Sequence, residues 1–216
     1  MSLFISLGRI QLDPGSTMTV RGLDWLQFEA ALEELGEDRS TRVTYLQGTL
    51  EIMSPLPAHE RPHRFIADVV KALLDAQERD WEDFGSTTFK KRSAEVGLEP
   101  DTCFYIENAQ RVRDCQRMDL EVYPPPDLAI GADLTSQTTL AAYLALQVPE
   151  VWIYSQGELK IFLLQGDQYQ QSQTSAIFAG LPVVEMIPRL LQDAQQQGSS
   201  RVLRELRTRL AEGRFP

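Results

Sequence analysis

The 216-residue chain is poor in the residues on which many enzyme chemistries depend: it has two cysteines, two histidines and three tryptophans. Two thiols, Cys103 and Cys115, make no disulfide framework, and the expectation is reduced thiols in a cytoplasmic protein. There is no Cys-x-x-Cys pair, no glycine-rich phosphate loop and no Gly-x-Ser-x-Gly turn. Those absences remove the thiol-exchange, P-loop and serine-hydrolase readings. No apolar run approaches the roughly 18 residues that a membrane helix needs. Met1 to Asp13 lacks a basic start and a small-residue cleavage site, so no signal peptide is read there.

Positive charge is also scarce. The chain carries 21 Lys and Arg against 31 Asp and Glu, a net charge of −10. Part of the basic charge is gathered at the end, where Arg201, Arg204, Arg207, Arg209 and Arg214 oppose Glu205 and Glu212. Ser200–Pro216 is therefore at +3 and the rest of the chain at −13. A run of this kind is ordinarily a solvated helical face. A body this acidic does not suit strong non-specific DNA binding, which needs a basic face.

With 43% hydrophobic residues the chain can bury a core of one medium domain. Residues 1–18 read as a lead-in, 19–190 as the domain and 191–216 as a helical tail. Thr19 is expected to open a helix, since Leu23, Leu26, Phe28, Ala31, Leu32 and Leu35 recur at helical spacing and Gly36 stops it. Val43–Met53 alternates around Gln47-Gly48 as a hairpin. Ser54-Pro-Leu-Pro57 breaks the strand, and a long helix follows to about Asp80. Short strands are expected at Ser86–Arg92, Asp101–Ile106 and Asp127–Leu134, then a helix at Thr138–Gln147, a strand at Val151–Tyr154 and a hairpin around Gly166-Asp167. From Pro188 the chain is helical, with a break at Gln195–Ser200. The fold class is α/β (α+β): a mixed β-sheet flanked by helices, preceded by an N-terminal helix and β-hairpin.

Two strands begin with Pro-Asp, at Pro100-Asp101 and Pro126-Asp127. Proline fixes an extended approach to the strand and leaves the aspartate at the sheet's edge. Carboxylates at neighbouring strand ends can converge on a hard cation such as Mg²⁺. Asp133 adds a third, on the same strand face as Gly131 and about 7 Å beyond it. The alternative is that Asp127 and Asp133 are ordinary strand-end polar residues. His59 and His63 stand four apart on the long helix, a weak zinc signal without a third ligand. Lys90, Lys91 and Arg92 form the one compact basic cluster of the body and are candidates to meet a phosphate backbone.

Five stretches together resemble the Uma family of the PD-(D/E)XK restriction-endonuclease-like superfamily, a family abundant in cyanobacteria. They are Tyr45-Leu-Gln-Gly-Thr-Leu-Glu-Ile-Met-Ser-Pro55, Pro57-Ala-His-Glu60, Gly97-Leu-Glu-Pro-Asp-Thr-Cys-Phe-Tyr-Ile106, Pro125-Pro-Asp-Leu-Ala-Ile130 and Tyr143-Leu-Ala-Leu-Gln-Val-Pro-Glu-Val-Trp-Ile-Tyr154. The resemblance runs from about residue 19 to 190, in the family's order. It implies a restriction-endonuclease-like core, a Mg²⁺- or Mn²⁺-dependent DNA endonuclease activity, and a homodimer that meets a duplex symmetrically, with no membrane association. It matches the first acidic metal ligand to Asp101, the helix histidine to His59 and the second Pro-Asp to Asp127. The family's second acidic position falls at Gly131, and its lysine at or near Thr139. Glycine cannot ligate an ion and threonine carries no charge. Asp133 is the residue expected to stand in for the missing acid, and Lys90 or Lys91 for the missing lysine. Two readings follow: an endonuclease with a rearranged site, in which Asp101 and Asp133 hold the ion, Asp127 supports it and His59 orients a water or phosphate, or a catalytically inactive binding or scaffold protein on the same fold.

Overall fold

The hairpin at Gln47-Gly48 sets the first layer. In a computed structural model, β2 (Arg42–Leu46) and β3 (Thr49–Met53) pair antiparallel through a turn with both central residues at positive φ, 43° and 87°. Such a turn has the twist that a two-residue hairpin requires. The structure describes residues 7, 10–36, 39–131 and 137–214, with residues 57–60 and 137 described for their backbone alone. Along the hairpin, Val43, Tyr45, Leu50 and Ile52 are buried, while Arg42, Thr44, Glu51 and Met53 lie on the other face.

One expectation gives way here. Thr17–Arg21 is a strand, β1, paired with β3 so that Thr19 opposes Glu51. The helix α1 starts later, at Trp25, and runs to Leu35. The reason is local. Asp24 accepts from the Gln27 N–H at 2.8 Å, and the Gln27 side chain accepts from the Asp24 N–H at 2.9 Å. This capping box fixes the helix start. The residues before it follow a period of two, and Gly22, at φ 80°, turns the chain between strand and helix.

A five-stranded sheet results, in the order β1-β3-β2-β6-β5, with β5 at Phe89–Lys91 and β6 at Val96–Leu98. The long helix α2 (Pro57–Ala76) follows β3, and after it, before β5 and β6 complete the first sheet, the chain enters a second, six-stranded sheet. That sheet contains β4 (Glu82–Asp83), β7 (Thr102–Tyr105), β8 (Leu128–Gly131), β9 (Glu150–Ser155), β10 (Glu158–Gln165) and β11 (Gln168–Ser172), in the order β11-β10-β9-β8-β7-β4. Among the described residues only β8 and β9 pair parallel, linked through a segment that contains α4 (Gln137–Leu146). The short α3 (Ala109–Val112) follows β7. The mixed α/β class holds, with two sheets where one was expected.

Strand alternation sorts the second sheet's side chains into two cores. Phe104, Leu128, Ile130 and Trp152 pack with α2, α5 (Val183–Gln197) and α6 (Ser199–Ala211). Cys103, Tyr105, Ala129, Val151 and Ile153 pack on the other face with Ala142, Tyr143 and Leu146 of α4. The chain passes from one sheet to the other at Glu99-Pro100-Asp101, between β6 and β7. That crossing places Asp101 where the polar face of the hairpin, the start of α4 and the ends of β7 and β8 meet.

Candidate active site

The backbone at the crossing is pinned on both sides. The Glu99 N–H donates to the Val43 carbonyl at 3.1 Å, and the Asp101 N–H donates to the Ile130 carbonyl at 3.1 Å. Glu99, 9% exposed, accepts from the Val43 N–H at 3.1 Å, from the Thr88 hydroxyl and from the Arg39 guanidinium. Its charge is therefore spent inside the fold. Asp101 keeps a carboxylate 11% exposed, with Nδ1 of His63 3.4 Å from Oδ2 and Nε of Arg42 3.9 Å from Oδ1. His63 is buried on α2.

Beside Asp101 lies a cavity of about 60 Å³ lined by Thr17, Arg42, Thr44, Glu51, Asp101, Gly131, Thr139 and Tyr143, among others. Three positions singled out from the sequence, Asp101, Gly131 and Thr139, thus meet on one cavity. A Cβ at Gly131 would stand 4.0 Å from Oδ2 of Asp101, 3.6 Å from the Tyr143 hydroxyl and 3.4 Å from Ile153. A side chain at 131 would therefore project beside the Asp101 carboxylate. Tyr143 is 2% exposed, and burial, then the Asp101 charge, push its phenol well above its ordinary pKa. It stays a protonated donor at neutral pH.

Asp127 is elsewhere. β7 and β8 run antiparallel, with Thr102 opposite Ile130 and Phe104 opposite Leu128, so strands that both begin with Pro-Asp put those aspartates at opposite ends of the pair. Asp127 is 7% exposed and serves the backbone. Its Oδ2 accepts from the Ile106 N–H at 2.6 Å and the Asn108 N–H at 3.2 Å, and its Oδ1 accepts from the Asn108 side chain at 3.0 Å. The convergence of Asp101 with Asp127 expected from the two Pro-Asp steps is not what the register makes. Asp133 and the His59 side chain lie outside the described residues.

The basic cluster is dispersed. Nζ of Lys90 is 3.3 Å from Oε1 of Glu29 on α1, and Lys90 borders a larger cleft of about 800 Å³ with Arg39, Arg42, Glu99 and Arg117. Lys91 is half-buried, and Arg92 is exposed in a short 3₁₀ turn. β5 carries Lys90 and Lys91 at the edge of the first sheet, paired with β6, and among the described residues that line the cavity at Asp101 neither lysine is found. The reading of Lys90 or Lys91 as a replacement for the lysine missing at Thr139 has no support in this placement.

The sequence reading passed over Arg42 and Glu51, weighed His63 only as half of a weak zinc signal, and took Tyr143 only as part of a stretch that carries the resemblance. Alternation on the hairpin carries Arg42 and Glu51 to the face opposite the buried Tyr45 and Leu50, a signal available from the pattern alone. The run His59-Glu-Arg-Pro-His63 also spells His-Glu-x-x-His, the form of a helical zinc site. Its second histidine is turned to Asp101. Among the described residues no three His, Cys, Asp or Glu side chains form a metal cage. Three carboxylates, Glu51, Glu99 and Asp101, border the cavity; Glu99 is paired with Arg39, and oxygen donors of this kind fit a hard ion that keeps most of its waters.

A family model described as "Uma2: Putative restriction endonuclease" matches residues 25–196. Among solved structures, the chain is similar to one described as a "putative nuclease belonging to DUF820 from Anabaena variabilis ATCC 29413", with a TM-score of 0.48 and 13% identity. That match covers 68% of this chain and 88% of the other. No curated protein matches the chain.

Proposed function

The chain belongs to the Uma2 restriction-endonuclease family, and from that premise we propose a metal-dependent, nuclease-like protein that acts slowly on DNA phosphodiester bonds through a reduced active site at Asp101. The observation that carries this reading is the meeting of Asp101, Gly131 and Thr139 on one cavity, with the carboxylate of Asp101 largely sheltered at a strand end. A bound Mg²⁺ or Mn²⁺ would supply an acidified water and neutralise charge developing on the phosphate. Asp101 would hold that ion. His63, 3.4 Å from Oδ2, would fix the carboxylate's orientation. Tyr143 would donate to a phosphate oxygen in place of the charged group missing at Thr139. A neutral donor is the weaker substitute, and loss of one transition-state group costs about 10²–10³ in rate. Supercoiled plasmid incubated with Mg²⁺ or Mn²⁺ tests the reading. Slow nicking that Asp101→Ala abolishes is the expected result, and nicking unchanged in Asp101→Ala would sink it.

A second reading is favoured by Gly131 and Thr139 themselves: a catalytically inactive member that binds nucleic acid or a paralogue. Its signature is Asp101-dependent DNA binding with no turnover in either ion. Asp133 remains a candidate ligand in both readings, and His59 a candidate to orient a water or phosphate. Asp127 is a candidate only for outer support, through the strand it holds.

A further inference from the structure

Resting on the reading that this protein meets DNA, and on no chemical step at Asp101, we propose that the outer face of α6 is the surface that takes the duplex, with the guanidinium groups of Arg201, Arg204 and Arg207 set against successive phosphates of one strand.

The charge of the chain is unevenly placed. It totals −10, yet α6 alone carries +3. The two helices that α6 packs on do not cancel it, since α2 is neutral and α5 carries −1. The layer of three helices is therefore at +2 and the remainder of the chain at −12. A polyanion is repelled by most of this protein and drawn to that layer. Within it, Arg201, Arg204 and Arg207 recur every three residues and all are exposed. Residues three apart on a helix are neighbours, about 5–6 Å between Cβ atoms, a step that long side chains adapt to the phosphates of one strand. Arg204 and Arg207 have no acidic partner among the described residues. Arg201 meets Glu205 at 2.9 Å, but both side chains are exposed, and a pair of that kind holds weakly. The row is also rigid, because Val202, Leu203, Leu206 and Leu210 anchor the helix in the core shared with α2 and α5. Finally, the basic residues of α6 are four arginines and no lysine. Guanidinium presents a planar fork of donors that matches phosphate oxygens.

Other occupants fit less well. The apolar side of α6 is spent in the protein's own core and none of its large hydrophobic residues is exposed. Nothing is left to enter a membrane, and there is no apolar centre for a protein interface. The competing explanation is that the arginines only keep the helix solvated. Binding of the full chain to a fluorescent duplex of about 20 base pairs and arbitrary sequence, read by anisotropy in EDTA across about 25 to 150 mM KCl, separates the two. Three phosphate contacts predict that log K falls with log salt at a slope of about −2.7. Arg201→Gln, Arg204→Gln and Arg207→Gln combined are expected to weaken binding about tenfold or more at low salt and to flatten that slope toward zero. Arg21→Gln, Arg111→Gln and Lys160→Gln combined remove the same charge from exposed positions on β1, α3 and β10 and are expected to leave affinity within about threefold. Equal weakening in both triple variants would assign the effect to net charge and overturn the proposal. So would wild-type affinity in the α6 variant, or no binding of the duplex by wild type. Self-association, or binding to phosphatidylserine vesicles, that depends on the α6 arginines in the absence of duplex binding would give the face to those partners instead. If the α6 variant does not fold, Arg204→Gln with Arg207→Gln carries the same comparison, with the slope flattened by about 1.8. Plasmid nicking is scored separately with Mg²⁺ and Mn²⁺. Duplex binding that depends on the α6 arginines, without nicking in either ion, sinks the catalytic reading and leaves this proposal standing. Asp101-dependent nicking with duplex affinity unchanged in the α6 variant does the reverse.

Discussion

At the scale of single residues, the two Pro-Asp aspartates divide the labour that their spelling makes look identical. Asp101 keeps its carboxylate on a cavity, while Asp127 gives three hydrogen bonds' worth of acceptor to the segment after β7. The distinction yields a prediction. Asp127→Ala leaves the Ile106 and Asn108 N–H groups without their acceptor, and a buried donor stranded in this way costs about 1–3 kcal/mol. A loss of about 2–3 kcal/mol in urea unfolding is expected, with Mn²⁺ affinity unchanged in the folded fraction. A variant as stable as wild type but blind to Mn²⁺ would return Asp127 to the metal site. What was legible here was the residue type. What was not legible was which ends of the strands adjoin, because a Pro-Asp step marks where a strand starts and says nothing of whether its neighbour runs with it or against it. Tyr143 was visible as a landmark of the resemblance, but its turn toward Asp101 depends on how α4 docks on the sheet, which no local pattern encodes.

At the scale of elements, the hairpin, α2, the β10–β11 hairpin and the break between α5 and α6 at Gly198 follow from periodicity and turn residues. The misread element was β1, where the helical period that runs from Leu23 to Leu35 drew the start of α1 too early. The division into two sheets was also hidden, since β6, three residues long at Val96–Leu98, was not read as a strand, and only Glu99-Pro100-Asp101 separates it from β7. Gly97, in the middle of β6, shows why that strand tolerates no larger residue. A Cβ there would lie 2.4 and 2.7 Å from ring atoms of Phe28, which is fully buried and stacked on Tyr45 with centroids 4.3 Å apart. Overpacking a core of this kind costs about 1–3 kcal/mol. Gly97→Ala is therefore expected to destabilise the fold by about 2 kcal/mol in chemical unfolding. In Phe28→Leu, whose side chain lacks the ring, the same Gly97→Ala step is expected to cost less, a coupling that a double-mutant cycle measures. Equal costs in both backgrounds would mean that the ring is not the obstacle.

At the scale of the whole molecule, the C-terminal segment carries a lesson about interfaces. Its amphipathic pattern suggested a surface for a homodimer, yet Val202, Leu203, Leu206 and Leu210 are buried in the same core as α2 and α5, and Arg201, Arg204, Arg207 and Arg209 are the residues left exposed. The same dense interior sets the behaviour of the protein in alkali. Burial raises the phenols of Tyr105, Tyr143 and Tyr169 above the ordinary value of 10.0. Tyr105 donates to the Pro124 carbonyl at 2.8 Å and Tyr169 to the Val148 carbonyl at 2.7 Å, contacts that require the protonated form. The unfolded chain releases these protons near pH 10, and the folded chain holds them longer. Below pH 10 the stabilisation is fully present. Above it the unfolded state binds fewer protons than the native state, so stability falls by about 1.4 kcal/mol per pH unit for each such tyrosine. Three of them give a slope of about 4 kcal/mol per unit, enough to erase a typical domain stability within about two to three units. A titration from pH 8 to pH 13 followed by absorbance at 295 nm and by circular dichroism is expected to show the last tyrosines ionising together with loss of the fold. Ionisation of all six at their ordinary value with the dichroism intact would show that the interior does not hold these phenols as described.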